Sequence, residues 1–283
     1  MQRRDKLLAR LLDARPPFEA AGNRLLITGS FETRLETTAG RAELSVLAAV
    51  LEAYRDERGI LVAHSPRDPE SPLYEVASDV LVASPAIGCV LIEVKSHRLA
   101  GLSLEGSRLL VDYGDRNGRV PNKKDAFAQI ERACSQHLDG LRRQAKRLRL
   151  PFPPVAGVLA LPRVSRREFL ARFDDGRLLP EQHLLFEETL APEALRAQLA
   201  EAARRSAEKL RRKLPVDPCA IDLLVGPTGG RWQLRTSTRP LRDPLVPVFV
   251  KELLLYLNVL RFRTKPEHGF SRSNPREVPP DRR

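Results

Sequence analysis

Glu93 and Lys95 stand two residues apart in Val90-Leu91-Ile92-Glu93-Val94-Lys95, a run whose aliphatic residues read as a strand. Side chains alternate faces along a strand, so Leu91, Glu93 and Lys95 share one side and Val90, Ile92 and Val94 the other. A carboxylate and an ammonium are therefore set on one face of a segment otherwise fit for burial. Burying charges is costly unless they pair or bind a metal. The plain alternative is a half-exposed strand with a solvated Glu and Lys.

A second acid falls in the strand expected over 74–84, where Asp79 interrupts an apolar run despite its poor strand propensity. Pro85-Ala86-Ile87-Gly88 predicts a turn, and two strands joined so tightly pair antiparallel. Asp79 and Glu93 then come within reach of each other. Two like charges at close range raise one another's pKa unless a cation lies between them. Oxygen donors with no nearby His or Cys point to Mg²⁺ or Mn²⁺ rather than zinc. A third acid, Glu43, lies on the stripe of a helix expected over 42–55, one turn before Leu47, with Val50, Leu51 and Tyr54 continuing the period. Its bland reading is favourable placement near a helix N-terminus. Gln129 lies beside the apolar stripe of a long helix expected over 122–148, with Asn122 as its N-cap.

The elements that must hold these groups follow from pattern. Residues 3–14 predict an amphipathic helix stopped by Pro16-Pro17, and 25–28 and 60–64 predict short strands. Gly40 reads as punctuation before the Glu43 helix. Ser65 to Pro72 reads as a loop, and 109–113 as a strand followed by a polar turn over 114–118. Beyond the long helix come a buried strand (155–161), a short helix capped by Ser165, a strand (183–186) and a charged helix (191–213). A hairpin over 221–236, an aliphatic helix over 247–260 and a basic, disordered tail over 261–283 complete the reading.

The 283 residues carry a net charge of +12, which favours a polyanionic partner, most often nucleic acid. Arg142, Arg143 and Lys146 crowd the end of the long helix; they favour its C-terminus electrostatically and are candidate phosphate contacts. Three scattered cysteines predict no disulfide framework, and the histidines show no zinc spacing; Cys134 and His137 on one helix face are two ligands, not a site. No apolar stretch predicts a membrane span or a secretory signal, so the cytoplasm is the expected location.

Taken in order, Glu43 on a helix, Asp79 in a strand, Glu93-x-Lys95 in the next strand and Gln129 on the following helix resemble the PD-(D/E)XK nuclease superfamily. More narrowly they resemble the nuclease-related domain, or NERD, family. Gly40-Arg41-Ala42-Glu43-Leu44, Ser78-Asp79-Val80-Leu81-Val82 and Val90-Leu91-Ile92-Glu93-Val94-Lys95-Ser96 carry the likeness, which spans roughly residues 36–150. Ser78 and Ala42 stand where the family often has Ile and Gly.

The resemblance implies a restriction-endonuclease-like α/β fold: a mixed sheet flanked by helices, with the active site at one sheet edge and an α+β C-terminal extension. The expected division is an N-terminal arm (1–35), the NERD-like domain (36–190), a helical and hairpin extension (191–260) and the tail (261–283). The implied chemistry is Mg²⁺- or Mn²⁺-dependent hydrolysis of DNA phosphodiesters. Asp79 and Glu93 would hold the metal, with Glu43 a further ligand, directly or through water. Lys95 would stabilise the oxyanion, and Gln129 would support them. RNA is the alternative substrate. The competing class is a non-cleaving nucleic-acid-binding module that works with a helicase or other DNA-processing partner. A third reading, docking on a membrane surface or a protein partner, would use the N-terminal helix and the 247–260 helix.

Overall fold

The seven residues of Gly88–Val94 are all buried, as a nearly continuous apolar run requires of a strand covered on both faces. This strand is one of the two central strands of a six-stranded sheet, seen in a computed structural model that describes residues 2–27, 31–64, 78–114, 122–149, 151–173, 178, 182–218 and 220–221. The elements in chain order are α1 (Gln2–Ala20), β1 (Arg24–Ile27), α2 (Phe31–Leu35), α3 (Thr38–Ala53), β2 (Leu61–His64), β3 (Val80–Ser84), β4 (Gly88–Val94), β5 (Leu102–Glu105), β6 (Arg108–Asp112), β7 (Lys123–Asp125), α4 (Ala126–Leu148), β8 (Val155–Leu161), α5 (Arg166–Arg172), β9 (His183–Phe186) and α6 (Pro192–Lys209). Expectations for 65–77, for the turn beyond Gly114, for the hairpin and helix between 222 and 260 and for the tail lie outside the described residues.

The fold is α/β, with a mixed six-stranded sheet in the order β1-β2-β3-β4-β8-β9. β1 runs parallel to β2, the β2-β3-β4 meander is antiparallel, and β4, β8 and β9 are parallel. The predicted turn joins β3 to β4 in the expected antiparallel register, Val80 opposite Ile92 and Ser84 opposite Gly88. Gly88 has φ +66°, and a Cβ there would lie 2.8 Å from the Pro154 ring, so only glycine fits.

The two sheet faces carry separate apolar layers. Val90, Ile92 and Val94 face α3, and the same layer includes Leu11 and Phe18 of α1 and Leu195 and Leu199 of α6. Leu81, Leu91 and Leu159 face α4, together with Leu102, Leu109 and Val111 of a small antiparallel sheet, β5-β6-β7. Of that small sheet only β6 is predicted from sequence; β5 and β7 are short and half polar.

Three local expectations are corrected. α1 does not stop at Pro16-Pro17 but continues to Ala20. Prolines forfeit helical N–H donors, at a cost of about 3 kcal/mol each in a helix interior, and the wholly buried Phe18 just beyond them supplies the compensating packing. α3 starts before Gly40, at Thr38, because the Thr37 hydroxyl caps it by accepting the Gly40 N–H at 2.9 Å. A Cβ on Gly40 would collide with the Arg34 carbonyl, so this glycine lets α2 press against α3. α4 starts at Ala126 with Asp125, not Asn122, as its cap, since β7 occupies the residues between. The Ser165 cap of α5 forms as predicted, in a capping box with Glu168.

Candidate active site

Alternation along β4 puts Glu93 on the α4 side with Leu91, and Lys95 follows two residues later. Both side chains are more than nine-tenths buried. The Lys95 ammonium donates to Glu93 Oε1 at 2.7 Å and to Gln129 Oε1 at 2.8 Å. Gln129, in the first turn of α4, donates from Nε2 to the same Glu93 oxygen at 2.6 Å. Only one orientation of the Gln129 amide serves both, because the ammonium has no acceptor and the carboxylate no donor. Burial works to lower the pKa of Lys95, but the Glu93 carboxylate beside it, with Tyr113 behind, outweighs burial and holds it above the ordinary value. Lys95 is therefore protonated at neutral pH.

Asp79 is not in the middle of a strand, as sequence predicts, but one residue before β3. The β3–β4 register carried one step further sets it opposite Glu93. Its N–H donates to Ile92 O at 3.2 Å, and its Oδ2 accepts the Val94 N–H at 2.7 Å, so the side chain closes the ladder where the strand ends. Burial, then the charges of Glu93 and Glu43, push the Asp79 carboxyl well above the ordinary carboxylate range; the Val94 N–H and Lys95 oppose them. The charges of both other sequence-predicted acids thus act on Asp79.

Glu43 reaches that site from the other face of the sheet. Its Oε2 accepts from Arg34 Nη1 of α2 and lies 3.5 Å from His64 Nε2 at the end of β2. Register places His64 opposite Val80, on the α3 side. Burial would raise the Glu43 pKa, but His64 and Arg34 together bring it below the ordinary value. Burial, with Arg34 adding to it, holds the wholly buried His64 below its ordinary pKa, so the ring is neutral near pH 7.

Sequence reasoning misses Arg34 and His64, whose partnership with Glu43 spans separate elements and leaves no local mark. It also misses His97 and Tyr113 beside Lys95. The rings of these two meet edge to face with centroids 5.0 Å apart, and Lys95 Nζ lies 5.8 Å from the Tyr113 centroid. His97 continues the Glu93, Lys95 alternation, which is the signal that could have found it.

The remaining candidates stand apart. Arg142, Arg143 and Lys146 are exposed on the last turns of α4, roughly 20–25 Å along the helix from Gln129 at 1.5 Å per residue. The Arg142 guanidinium lies 5.9 Å from the Phe152 ring, which Arg212 approaches at 4.0 Å. Burial first and Glu131 second push the Cys134 thiol up to about 12, and His137 Nε2 lies 3.5 Å from Cys89 Sγ in the core.

Among the described residues, no group of three or more acidic, histidine or cysteine side chains is spaced to hold a metal ion. Two carboxylates with hard oxygens nonetheless have the donor chemistry for Mg²⁺, which keeps several waters and needs one or two protein carboxylates. Glu93 Oε1 takes both neighbouring donors and Asp79 Oδ2 the Val94 N–H, and no hydrogen bond among the described residues uses Glu93 Oε2 or Asp79 Oδ1. No family model, curated protein or solved structure matches the chain. No described helix is long and apolar enough to cross a membrane.

Proposed function

We propose that this chain is a metal-dependent nuclease that hydrolyses DNA phosphodiesters through a PD-(D/E)XK-type site on a restriction-endonuclease-like fold of the NERD kind. The observation that carries the reading is the buried Lys95 ammonium, fixed between Glu93 and Gln129 and set near an Asp79 whose carboxyl is pushed upward by burial first and by two other acids after it. A purely structural ion pair has no use for further acids converging on it. The order of helix acid, strand-end acid, Glu-x-Lys strand and helix glutamine, on a mixed sheet flanked by helices, supports the same assignment. The cluster belongs to central strands, at the end of β4 and the start of β3, rather than to an edge strand.

Asp79 and Glu93 would hold Mg²⁺ or Mn²⁺, which when bound lowers the pKa of a water and neutralises charge on the phosphate. Lys95, kept protonated, supplies a preorganised positive charge where negative charge grows on the phosphate oxygens. Gln129 locks both the ammonium and the Glu93 carboxylate in place. Arg34 and His64 hold Glu43 ionised on the far side of the cluster, where its charge favours a cation. The net charge of +12 supplies affinity for the phosphate backbone.

The test is incubation with supercoiled, linear and single-stranded DNA in Mg²⁺, Mn²⁺ or EDTA, beside Glu93→Ala and Lys95→Ala. Cleavage is expected only with metal and only in the unmodified protein. Cleavage that survives EDTA and both substitutions rejects the mechanism. Metal-independent binding with no cleavage by the unmodified protein makes the chain a recruiting module for a DNA-processing partner.

A further inference from the structure

Only two large hydrophobic side chains among the described residues are exposed, Leu170 and Tyr113, and Tyr113 borders the Glu93–Lys95–Gln129 cluster. Tyr113 follows β6, and its N–H donates to Asn122 O at 3.1 Å, so the small sheet fixes its backbone. The His97 ring packs against the Tyr113 ring at 78° with centroids 5.0 Å apart. Burial and the neighbouring Lys95 lower the His97 pKa, so this support adds no charge beside the ammonium. Two ammonium groups flank the ring, Lys95 at 5.8 Å and Lys124, exposed on β7, at 5.5 Å from the centroid. A ring left 42% exposed with two cations within 6 Å of its centroid has the chemistry of a nucleotide subsite: aromatic surface for a base and positive charge for the phosphates beside it.

We propose that Tyr113, framed by Lys95 and Lys124, is the stacking platform for one unpaired nucleobase next to the bond to be cut, so that the substrate is a single strand or a frayed end rather than uninterrupted duplex. A base inside a duplex is already stacked on both faces and cannot cover the ring; a splayed base can. This inference rests on the nuclease reading, because it is Lys95 that ties the ring to the reacting phosphate.

The experiment measures fluorescence anisotropy with the full chain in EDTA. The probes are a 5′-fluorescein thymidine oligonucleotide of about 15 nucleotides, its duplex with the complementary strand, and the same sugar–phosphate strand made abasic. Tyr113→Ala is expected to weaken single-strand binding about 5- to 100-fold and to leave duplex binding unchanged. Tyr113→Phe is expected to keep most of the single-strand affinity, because the ring carries the stacking contact and only the hydroxyl's influence on Lys95 is lost. The abasic strand is expected to bind the unmodified protein more weakly by a similar factor, and Tyr113→Ala no further; this arm needs no variant to fold.

Equal affinity for the thymidine and abasic strands overturns the platform, as does a Tyr113→Phe loss as large as that of Tyr113→Ala. In either case metal-dependent cleavage lost in Glu93→Ala would leave the nuclease reading standing. Absence of all nucleic-acid binding and cleavage removes both.

Discussion

Lys95→Met tests the physical basis of the site without a substrate. The Lys95 ammonium and the Glu93 carboxylate are 2.7 Å apart, each more than nine-tenths buried. Their attraction is offset by the cost of taking two ions out of water, so the pair as a whole contributes little net stability. Removing one partner is different. Lys95→Met leaves the Glu93 carboxylate buried opposite Asp79, with the Gln129 Nε2 donor at 2.6 Å as its remaining partner there. Breaking a buried pair this way costs about 3–5 kcal/mol, and the surviving Gln129 bond sets the expectation near about 3. Glu93→Leu combined with Lys95→Met removes both ions and should recover most of the loss, to within about 1 kcal/mol of the unmodified protein. Urea denaturation in EDTA at pH 7, followed by far-UV circular dichroism, measures both, provided the denaturant slope is unchanged. Mg²⁺ should then stabilise Lys95→Met more than the unmodified protein, since the cation replaces the missing charge. A Lys95→Met loss below about 1 kcal/mol, or a double variant as unstable as the two singles summed, would mean that these charges are solvated and uncoupled, and the reasoning fails.

Asp79 has its folded pKa raised above the unfolded value, so its contribution is fully present below the ordinary carboxylate pKa and is lost as pH rises through the folded value. In EDTA, melting temperature should fall across that window in the unmodified protein and stay flat in Asp79→Asn, with Mg²⁺ abolishing the difference; parallel profiles refute it. Glu43 has its folded pKa lowered, so its contribution is present above the ordinary carboxylate pKa and lost as pH falls through the folded value. Arg34→Ala should therefore cost about 1–3 kcal/mol at pH 7 and progressively less in acid, and a pH-independent difference in urea titrations counts against the pair. Phe18→Ala should cost about 3–5 kcal/mol, measured by the same titrations, because α1 is anchored in the layer under α3; a neutral effect would show that the helix rests on the body without contributing to its core.

Much of the arrangement is legible because it is periodic or local. β4 alternates, so Glu93 and Lys95 are on one face from sequence alone, and the Pro85–Gly88 turn fixes the register that sets Asp79 against Glu93. α4 declares its buried stripe and so the position of Gln129. The rest depends on contacts between distant segments. No local rule predicts that Phe18 will carry a helix through two prolines, or that β7 will take the first residues of the expected α4. Arg34 and His64 meet Glu43 only because Gly40 lets α2 close onto α3 and because β2 ends beside them. Tyr113 reads as the end of an ordinary strand until the small sheet folds over α4 and carries it to Lys95.

The division of partners among the three acids sets Asp79 apart. Glu93 has an ammonium and an amide, and Glu43 has a guanidinium with a neutral imidazole alongside. Asp79, opposite Glu93 in the ladder, has the Val94 N–H and no cation bonded to it among the described residues. Three carboxylates therefore face two permanent positive charges, Lys95 and Arg34, and the deficit falls on the group whose pKa is driven up. Such a site is satisfied by a proton on Asp79 or by an external cation, and the two exclude each other. On the proposed reading Asp79 and Glu93 would take a divalent ion in place of that proton, so metal binding should tighten as pH rises and the proton leaves Asp79.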